Sequence, residues 1–528
     1  MKWRVGFFLL LSFLFACNSK YDNSHLSIFK YNESNGISTL DPAFSKDKAT
    51  IWATSQIFSS LVKMNDNLDV SPLVAKEWEI SEDGKRYIFN LRTDVFFHDH
   101  SVFENGKGRR VVASDFVYSF DRLLSEKLAS PGIWVFDRVE DYKAVNDSVL
   151  VINLRTPFPP FISLLSMQYC SVVPHELAGR RDFRSQPIGT GPFKFQFWKE
   201  GVKLVLRRNP NYFEMEDGER LPYLDAVAIT FIKDKQSEFL SFLQGNIDFI
   251  SGIDQSYQDE ILNKDGTLQG KYRNELNLQS RPFLNTEYLA FLMDGNTVLS
   301  RNKDLRKAIN YAIDKKKMVK FLRNNIGVAA ENGFVPKGMF SFSDRVKGYS
   351  FDRKLAQKHL ELSGYPNGNG LNPIVLNTTS EYLPFCEFIQ SELKNIGIEL
   401  ILDVNPSSTH RDMVADSKLD FFRASWMADY PDAENYLSLF YSKNNWNKGL
   451  NKTHFQNEEF NKLYEESISE PDFAKRTRMY HELDQIIMDN SVIVPLYYDQ
   501  VLRFSHKNIK GLSANAQNSL DLTKVIKE

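Results

Sequence analysis

Arg423-Ala424-Ser425-Trp426-Met427-Ala428-Asp429-Tyr430-Pro431-Asp432 follows an apolar, strand-like run, Leu419-Asp420-Phe421-Phe422. This order places an aromatic and a carboxylate just beyond the end of a strand. In open α/β sheets, ligands settle in the crevice outside the carboxyl ends of strands. A carboxylate there suits an ammonium group, and a neighbouring tryptophan can shield the pair from water. Taken alone, the segment also fits a solvated turn with a packed Trp, so its meaning depends on what surrounds it.

Upstream, the sequence alternates between strand and helix. Ile374-Val375-Leu376 reads as a strand. Residues 380–396 read as a helix with Phe385, Ile389, Leu393 and Ile396 inward, stopped at Gly397. Ile398 to Leu402 is the next strand, 407–417 a helix, and Leu419 to Trp426 the third strand. Such alternation implies parallel strands joined by right-handed crossovers, hence an α/β fold.

Further out, Asn302 and Asp304 begin a helix with Leu305, Ala308, Ile309, Ala312 and Ile313 on one face, and a second helix covers about 352–363. Leu289 to Met293 reads as a compact buried strand. A helix over 471–489 precedes Val492-Ile493-Val494-Pro495-Leu496-Tyr497-Tyr498, a buried strand expected to return to the first lobe. Nearer the N-terminus, Trp78-Glu79-Ile80 and Tyr87 to Leu91 flank Asp83-Gly84, a strong hairpin signal. A second hairpin centres on Asn146-Asp147. Between them lies a helix over about 113–124, with Asp115 in its first turn and Phe116, Phe120 and Leu123 on one face.

The chain has 528 residues, past the size at which one core stops growing, so at least two lobes are expected. Hydrophobic content of 42% and charged content of 25% are those of a globular protein. A formal charge of −2 offers no basic face for nucleic acid. At the N-terminus, Lys2 and Arg4 precede an apolar run from Val5 to Phe15 and then Ala16-Cys17, the pattern of a secretory signal. Cys17 directly after a small residue resembles the bacterial lipoprotein box, in which that cysteine carries the lipid; a plain signal peptide with an incidental cysteine is the alternative. A lipid there would tether the chain to a membrane rather than insert it. Cys170 and Cys386 are expected to be buried free thiols.

Catalytic and metal motifs are scarce. Gly189-Thr190-Gly191-Pro192-Phe193 lacks the spacing of a phosphate loop, and Pro192 blocks the helix such loops need, so a tight crossover between lobes is expected. His98-Asp99-His100 offers two imidazoles on one strand face but no third ligand nearby. His175-Glu176 and His481-Glu482 lack the second His of a zinc protease helix, and no G-x-S-x-G elbow is present. No metal, cofactor or enzymatic activity is expected.

With these residues in place, the chain resembles the bacterial solute-binding proteins of the oligopeptide/dipeptide family (family 5), receptors of ABC importers. The matching pieces run in order: Leu40-Asp41-Pro42; Pro72-Leu73-Val74-Ala75 with Trp78-Glu79; Phe97-His98-Asp99; Ser114 to Ser119; Gly189 to Phe193; Arg208 to Phe213; Asp304 to Ala308; Trp426 to Tyr430; and Pro495 to Tyr498. The resemblance implies a two-lobed periplasmic-binding-protein fold of type II (cluster C), with three regions, mixed sheets and a hinge. It divides the chain into a signal peptide, 1–17; lobe 1, from 18–64, 186–284 and 498–528; an extra domain, 65–185; and lobe 2, 285–497. It further implies that Asp429 receives a peptide's α-ammonium group, that Trp426 and Tyr430 wall the pocket, and that Arg423 serves the carboxylate end. Arginine suits that end because its fork binds two oxygens. A contacting tyrosine of the family falls on Gly132, and Trp134 is expected in its place. Other positions depart from the family: Lys48 stands where a small pocket residue is usual, Tyr382-Leu383 where a histidine meets the carboxylate, and Pro406-Ser407-Ser408 where a second tryptophan stands.

The implied function is an extracytoplasmic receptor that captures di- to oligopeptides between its lobes and delivers them to membrane permease subunits. The implied form is a lipid-anchored monomer in the cell envelope. A non-peptide solute, such as a nickel chelate or a sugar, is the alternative within the same fold. A tethered hydrolase, or a helical-repeat surface lipoprotein, is the alternative outside it.

Overall fold

The computed structural model describes residues 26–177, 180, 182–445 and 449–528. Cys17 and the signal segment lie outside the described residues.

Two long strands organise the molecule. Leu276–Phe291 and Ile493–His506 run antiparallel side by side, and each belongs to both lobes. Residues 276–282 pair with 500–506. The register then shifts between Pro282 and Thr286, after which Thr286 to Ala290 pair with Tyr498 to Ile493. Proline brings no N–H to a ladder, so Pro282 is a natural place for the pairing to break.

On one side of this pair the sheet continues through Phe249–Ser251, Ile28–Asn32, Ala226–Thr230, Lys203–Arg208 and Phe193–Lys199. On the other it continues through Phe421–Met427, Ile374–Thr379 and Leu400–Asn405. The last two are parallel, and the 374–379 strand is also parallel to 421–427, as the strand–helix alternation predicts. The intervening helices are Leu383–Lys394 and Ser407–Ala415. The first buries Phe385, Ile389 and Leu393, each worth about 1.5–3 kcal/mol of apolar burial. It starts later than its apolar pattern suggests, because Ser380–Tyr382 forms a 3-10 turn ahead of Pro384.

A third region packs on the first lobe. Ala75–Ile80, Arg86–Leu91, Val149–Leu154 and Val139–Asn146 form a separate four-stranded antiparallel sheet, covered by helix Ala113–Leu124. The Asp83-Gly84 turn joins the first two strands, with Gly84 at φ +68, a conformation glycine adopts freely. Asp115 accepts the Val112 N–H at 2.9 Å and so closes the helix start. Phe120 meets Phe136 and Tyr142 beneath it.

The Gly189-Thr190-Gly191 segment does not cross between the two lobes. Gly191 N–H donates to the Ile57 carbonyl, Gly189 accepts the His98 N–H, and the buried His98 ring contacts the Gly191 carbonyl at 3.0 Å. It is a seam between helix Lys48–Ile57 and the four-stranded region. A side chain at Gly189 would lie 2.0 Å from the Ile57 carbonyl oxygen, so the backbones meet only because that residue has none. Both Cys170 and Cys386 are buried and free.

Candidate functional site

The strand Phe421–Met427 ends where the chain turns through Ala428 and Asp429. Side chains alternate faces along a strand. Trp426 therefore lies on one face and Arg423, three residues earlier, on the other.

Trp426 and Asp429 are held together by Asn435, which is 4% exposed. Its side-chain oxygen accepts both the Trp426 indole N–H at 3.0 Å and the Asp429 backbone N–H at 3.1 Å. The Tyr436 hydroxyl caps the Trp426 carbonyl at 3.3 Å. Ala428 N–H donates to Leu284 O at 2.9 Å, which ties the turn to the segment where the two long strands change register.

Asp429 is open to solvent on one side, yet protein surrounds it closely enough that desolvation raises its carboxyl above 3.8. The Asn435 side chain opposes that rise through a hydrogen bond. None of the ion pairs among the described residues involves Asp429. Among the described residues it is a partly desolvated carboxylate with no cationic partner.

Walls come from distant parts of the chain. The Trp134 ring, on turn Ile133–Phe136 of the four-stranded region, lies 6.4 Å from the Tyr430 ring. Tyr430 spends its hydroxyl on buried Glu434, which also takes the Tyr464 hydroxyl. Tyr169 is the residue that sequence patterns do not reveal. Burial pushes its hydroxyl up to about 12, and the Asp429 and Asp47 carboxylates add to the rise. Asp47 caps helix Lys48–Ile57, so Tyr169 feels carboxylates from two distant parts of the chain. At Gly132 a Cβ would stand 2.4 Å from the Tyr169 ring. That absence of a side chain makes room for Tyr169.

Arg423 stands apart from this group. It pairs with Glu287, and its guanidinium lies 3.1 Å from the centre of the Tyr382 ring. Glu287 also accepts from Asn285 Nδ2 at 3.0 Å. Burial raises the Glu287 carboxyl, and Arg423 opposes that rise. The charge of Arg423 is thus already matched inside lobe 2. Nothing in residues 419–432 signals this, because Glu287 lies 136 positions away.

The histidines of His98-Asp99-His100 serve local bonds. His98 is held near pKa 4 by burial, and His100 Nδ1 faces the Val102 N–H at 3.1 Å. Among the described residues, no group of three or more His, Cys, Asp or Glu could hold a metal ion, and no helix is long and apolar enough to cross a membrane.

Comparison with known proteins agrees with this architecture. Heme-binding protein A of Haemophilus influenzae is 26% identical over 484 residues, covering 87% of this chain and 84% of that protein. The oligopeptide-binding protein OppA of Bacillus subtilis is 26% identical over 512 residues, covering 90% and 88%. Among solved structures, DppA, an ABC transporter-associated periplasmic binding protein from Helicobacter pylori in complex with peptide STSA, superposes with a TM-score of 0.77 at 24% identity, covering 95% of this chain and 98% of that one. That likeness shows the two-lobed fold. The family model for the middle region of bacterial extracellular solute-binding proteins, family 5, matches residues 69–448, and the chain belongs to that family.

Proposed function

We propose that this chain is the extracytoplasmic receptor of an ABC importer and captures peptides between its lobes. One observation carries the reading: Asp429 is a partly desolvated carboxylate without a cationic partner, at the carboxyl end of a strand and beside Trp426, Tyr430, Trp134 and Tyr169. A peptide's α-ammonium group supplies the missing charge, and the aromatic side chains exclude water from the pair. The naming of OppA as oligopeptide-binding, and the peptide held by the Helicobacter pylori protein, support the same ligand class.

In this reading the lobes close about the paired strands near Pro282 and Gln500, with 65–185 riding on lobe 1. Arg423 acts on the ligand's far end through Tyr382 rather than directly, since Glu287 already takes its charge. Lipid on Cys17 anchors the chain to a bacterial membrane, where the monomer hands its ligand to permease subunits. Its ligands leave the protein chemically unchanged.

Native mass spectrometry of residues 18–528, before and after mild denaturation, tests the ligand class. The expected result is a released mass of a few hundred daltons that fragments as peptide. A sugar, a porphyrin or a metal chelate in its place would overturn the peptide reading. Added peptides are expected back intact, and cleavage products would overturn the non-enzymatic one.

A further inference from the structure

A cavity of about 280 Å³ lies between the lobes and includes neither Asp429 nor Tyr430. Lobe 1 supplies Glu33, Lys48, Trp52, Phe239 and Tyr257; lobe 2 supplies Glu381, from the turn Ser380–Tyr382. Glu381 adjoins Tyr382, whose ring stacks on Arg423 of the strand Phe421–Met427 that leads to Asp429. The cavity and Asp429 are thus tied to the same strand.

The charges lining it are unequally spent. Lys235 is paired with Glu238 at 2.9 Å and bonded to Ser34 at 2.8 Å. Glu33 is different. It is 2% exposed and lines the cavity, and among the described residues its Oε1 meets only the Lys48 ammonium, at 3.4 Å. That ammonium also lies 4.3 Å from the centre of the Trp52 ring, so it divides its charge between the carboxylate and the ring. Burial still raises the Glu33 carboxyl despite that lysine. The side chain of Lys48 is 42% exposed, on a long flexible stem, so it is free to swing out. The Glu381 side chain on the facing lobe is exposed and, among the described residues, makes no hydrogen bond or ion pair.

We infer that this cavity receives a cationic side chain of the bound peptide, lysine or arginine, with its head between Glu33 of one lobe and Glu381 of the other. The inference rests on the peptide reading above and narrows it to a substrate class. A buried carboxylate oxygen held by one long contact is under-satisfied, and the shorter bond of an added ammonium or guanidinium donor satisfies it. The hydrocarbon stem of such a side chain packs along Trp52 and Tyr257, while the head keeps polar company. Because the two acids come from opposite lobes, the cation also bridges them and favours the closed form. Lys48 fills the place of the head group until the ligand arrives.

Isothermal titration calorimetry on ligand-stripped protein tests this with Ala-Ala-Ala, Ala-Lys-Ala, Ala-Ala-Lys and Ala-Ala-Glu. One of the lysine peptides is expected to bind about tenfold tighter than Ala-Ala-Ala, with Ala-Ala-Glu weakest. The ratio of lysine-peptide to alanine-peptide affinity is expected to fall toward one in Glu33→Gln. Glu381→Gln, at an exposed position where folding is not at stake, is expected to reduce it as well. Lys48→Ala is expected to increase it several-fold. Equal affinities for lysine and alanine peptides in the unaltered protein would overturn the cation pocket and leave the peptide receptor standing. A lysine preference that survives both Gln variants would overturn it too. Binding of spermidine, with none of the peptides, would overturn both readings.

Discussion

The Asn435 side-chain oxygen accepts the Asp429 backbone N–H at 3.1 Å, and the same oxygen holds the Trp426 indole at 3.0 Å. One buried amide thus sets the position of the charge and of the wall beside it. Asn435→Ala leaves two donors unpaired, and losing such partners costs about 1–3 kcal/mol. Urea unfolding is expected to show a loss of that size, and calorimetry a weaker peptide affinity with slower association of the misplaced site. A variant with native stability and affinity would show that Asn435 is dispensable.

Asp429 gives the receptor a pH dependence. Its folded carboxyl is raised by desolvation, so in the empty protein it holds its proton to higher pH than an unfolded aspartate does. Its protonated form favours the native state at low pH, and that contribution fades as pH rises through the folded pKa. Peptide binding runs the other way, because an ammonium group stabilises the ionised form. Affinity is therefore expected to weaken as pH falls below the raised pKa, with proton release on binding at pH values near that pKa. Asp429→Asn is expected to lose about ten- to a hundredfold in affinity at neutral pH and to bind without this pH dependence. Calorimetry in buffers of different ionisation heat reads both effects.

Arg423 and Glu287 form a buried pair on the opposite face of the strand from Trp426. Removing one partner of such a pair strands the other, at about 3–5 kcal/mol, whereas replacing both with apolar groups is often neutral. Arg423→Met is expected to destabilise strongly, and the double variant Arg423→Met, Glu287→Met to recover most of the loss. Chemical denaturation of the four proteins of that cycle measures the coupling. Additive losses would mean that Arg423 is not there for Glu287.

The Gly189 seam offers a test by volume alone. Alanine there would press its Cβ against the Ile57 carbonyl, and overpacking of this kind costs about 1–3 kcal/mol. Gly189→Ala is expected to lower the melting temperature, whereas Gly201→Ala, with open space around it, is limited to the strain of its positive φ. A loss at Gly189 no larger than that at Gly201 would show that the approach to Ile57 relaxes when a side chain is added.

Much of this architecture is legible where local chemistry and tertiary packing agree. Helix Ala113–Leu124 declares itself through Asp115 and a single apolar face, and the first hairpin through Asp83-Gly84. The long strand Leu276–Phe291 does not. Its first half carries Asn277, Gln279, Arg281 and Pro282, a polar series that suggests a loop. It is a strand because residues 500–506 supply the ladder beside it. The site divides the same way. Trp426, Asp429 and Tyr430 are neighbours in sequence, but Trp134 beside Tyr430 and Tyr169, which feels Asp429, come to them only through the fold. The separation of Arg423 from Trp426 was readable, since residues three apart on a strand face opposite ways. Its partner Glu287 was not, because no local pattern names a residue on another strand.

Asp484 provides a stability switch outside the cleft. It is buried on the last long helix, Phe473–Asn490, and accepts the Phe334 and Val335 N–H groups at 2.8 and 3.2 Å. Burial raises its carboxyl to about 7, against the pull of those two donors. The unfolded value lies near 3.8, so the native state binds the extra proton between these limits. Stability from this group is complete below 3.8, declines as pH rises, and is gone above about 7. Asp484→Asn removes the titration but keeps one acceptor oxygen. The difference in unfolding free energy between the two proteins is therefore expected to move in favour of the variant as pH rises from about 4 to about 7, and to level off beyond. A constant difference across that range would show that Asp484 has the same charge in the folded and unfolded chain. The carboxylate would then be held ionised by Phe334 and Val335, and the segment they begin would owe its position to a permanent buried anion rather than to a proton.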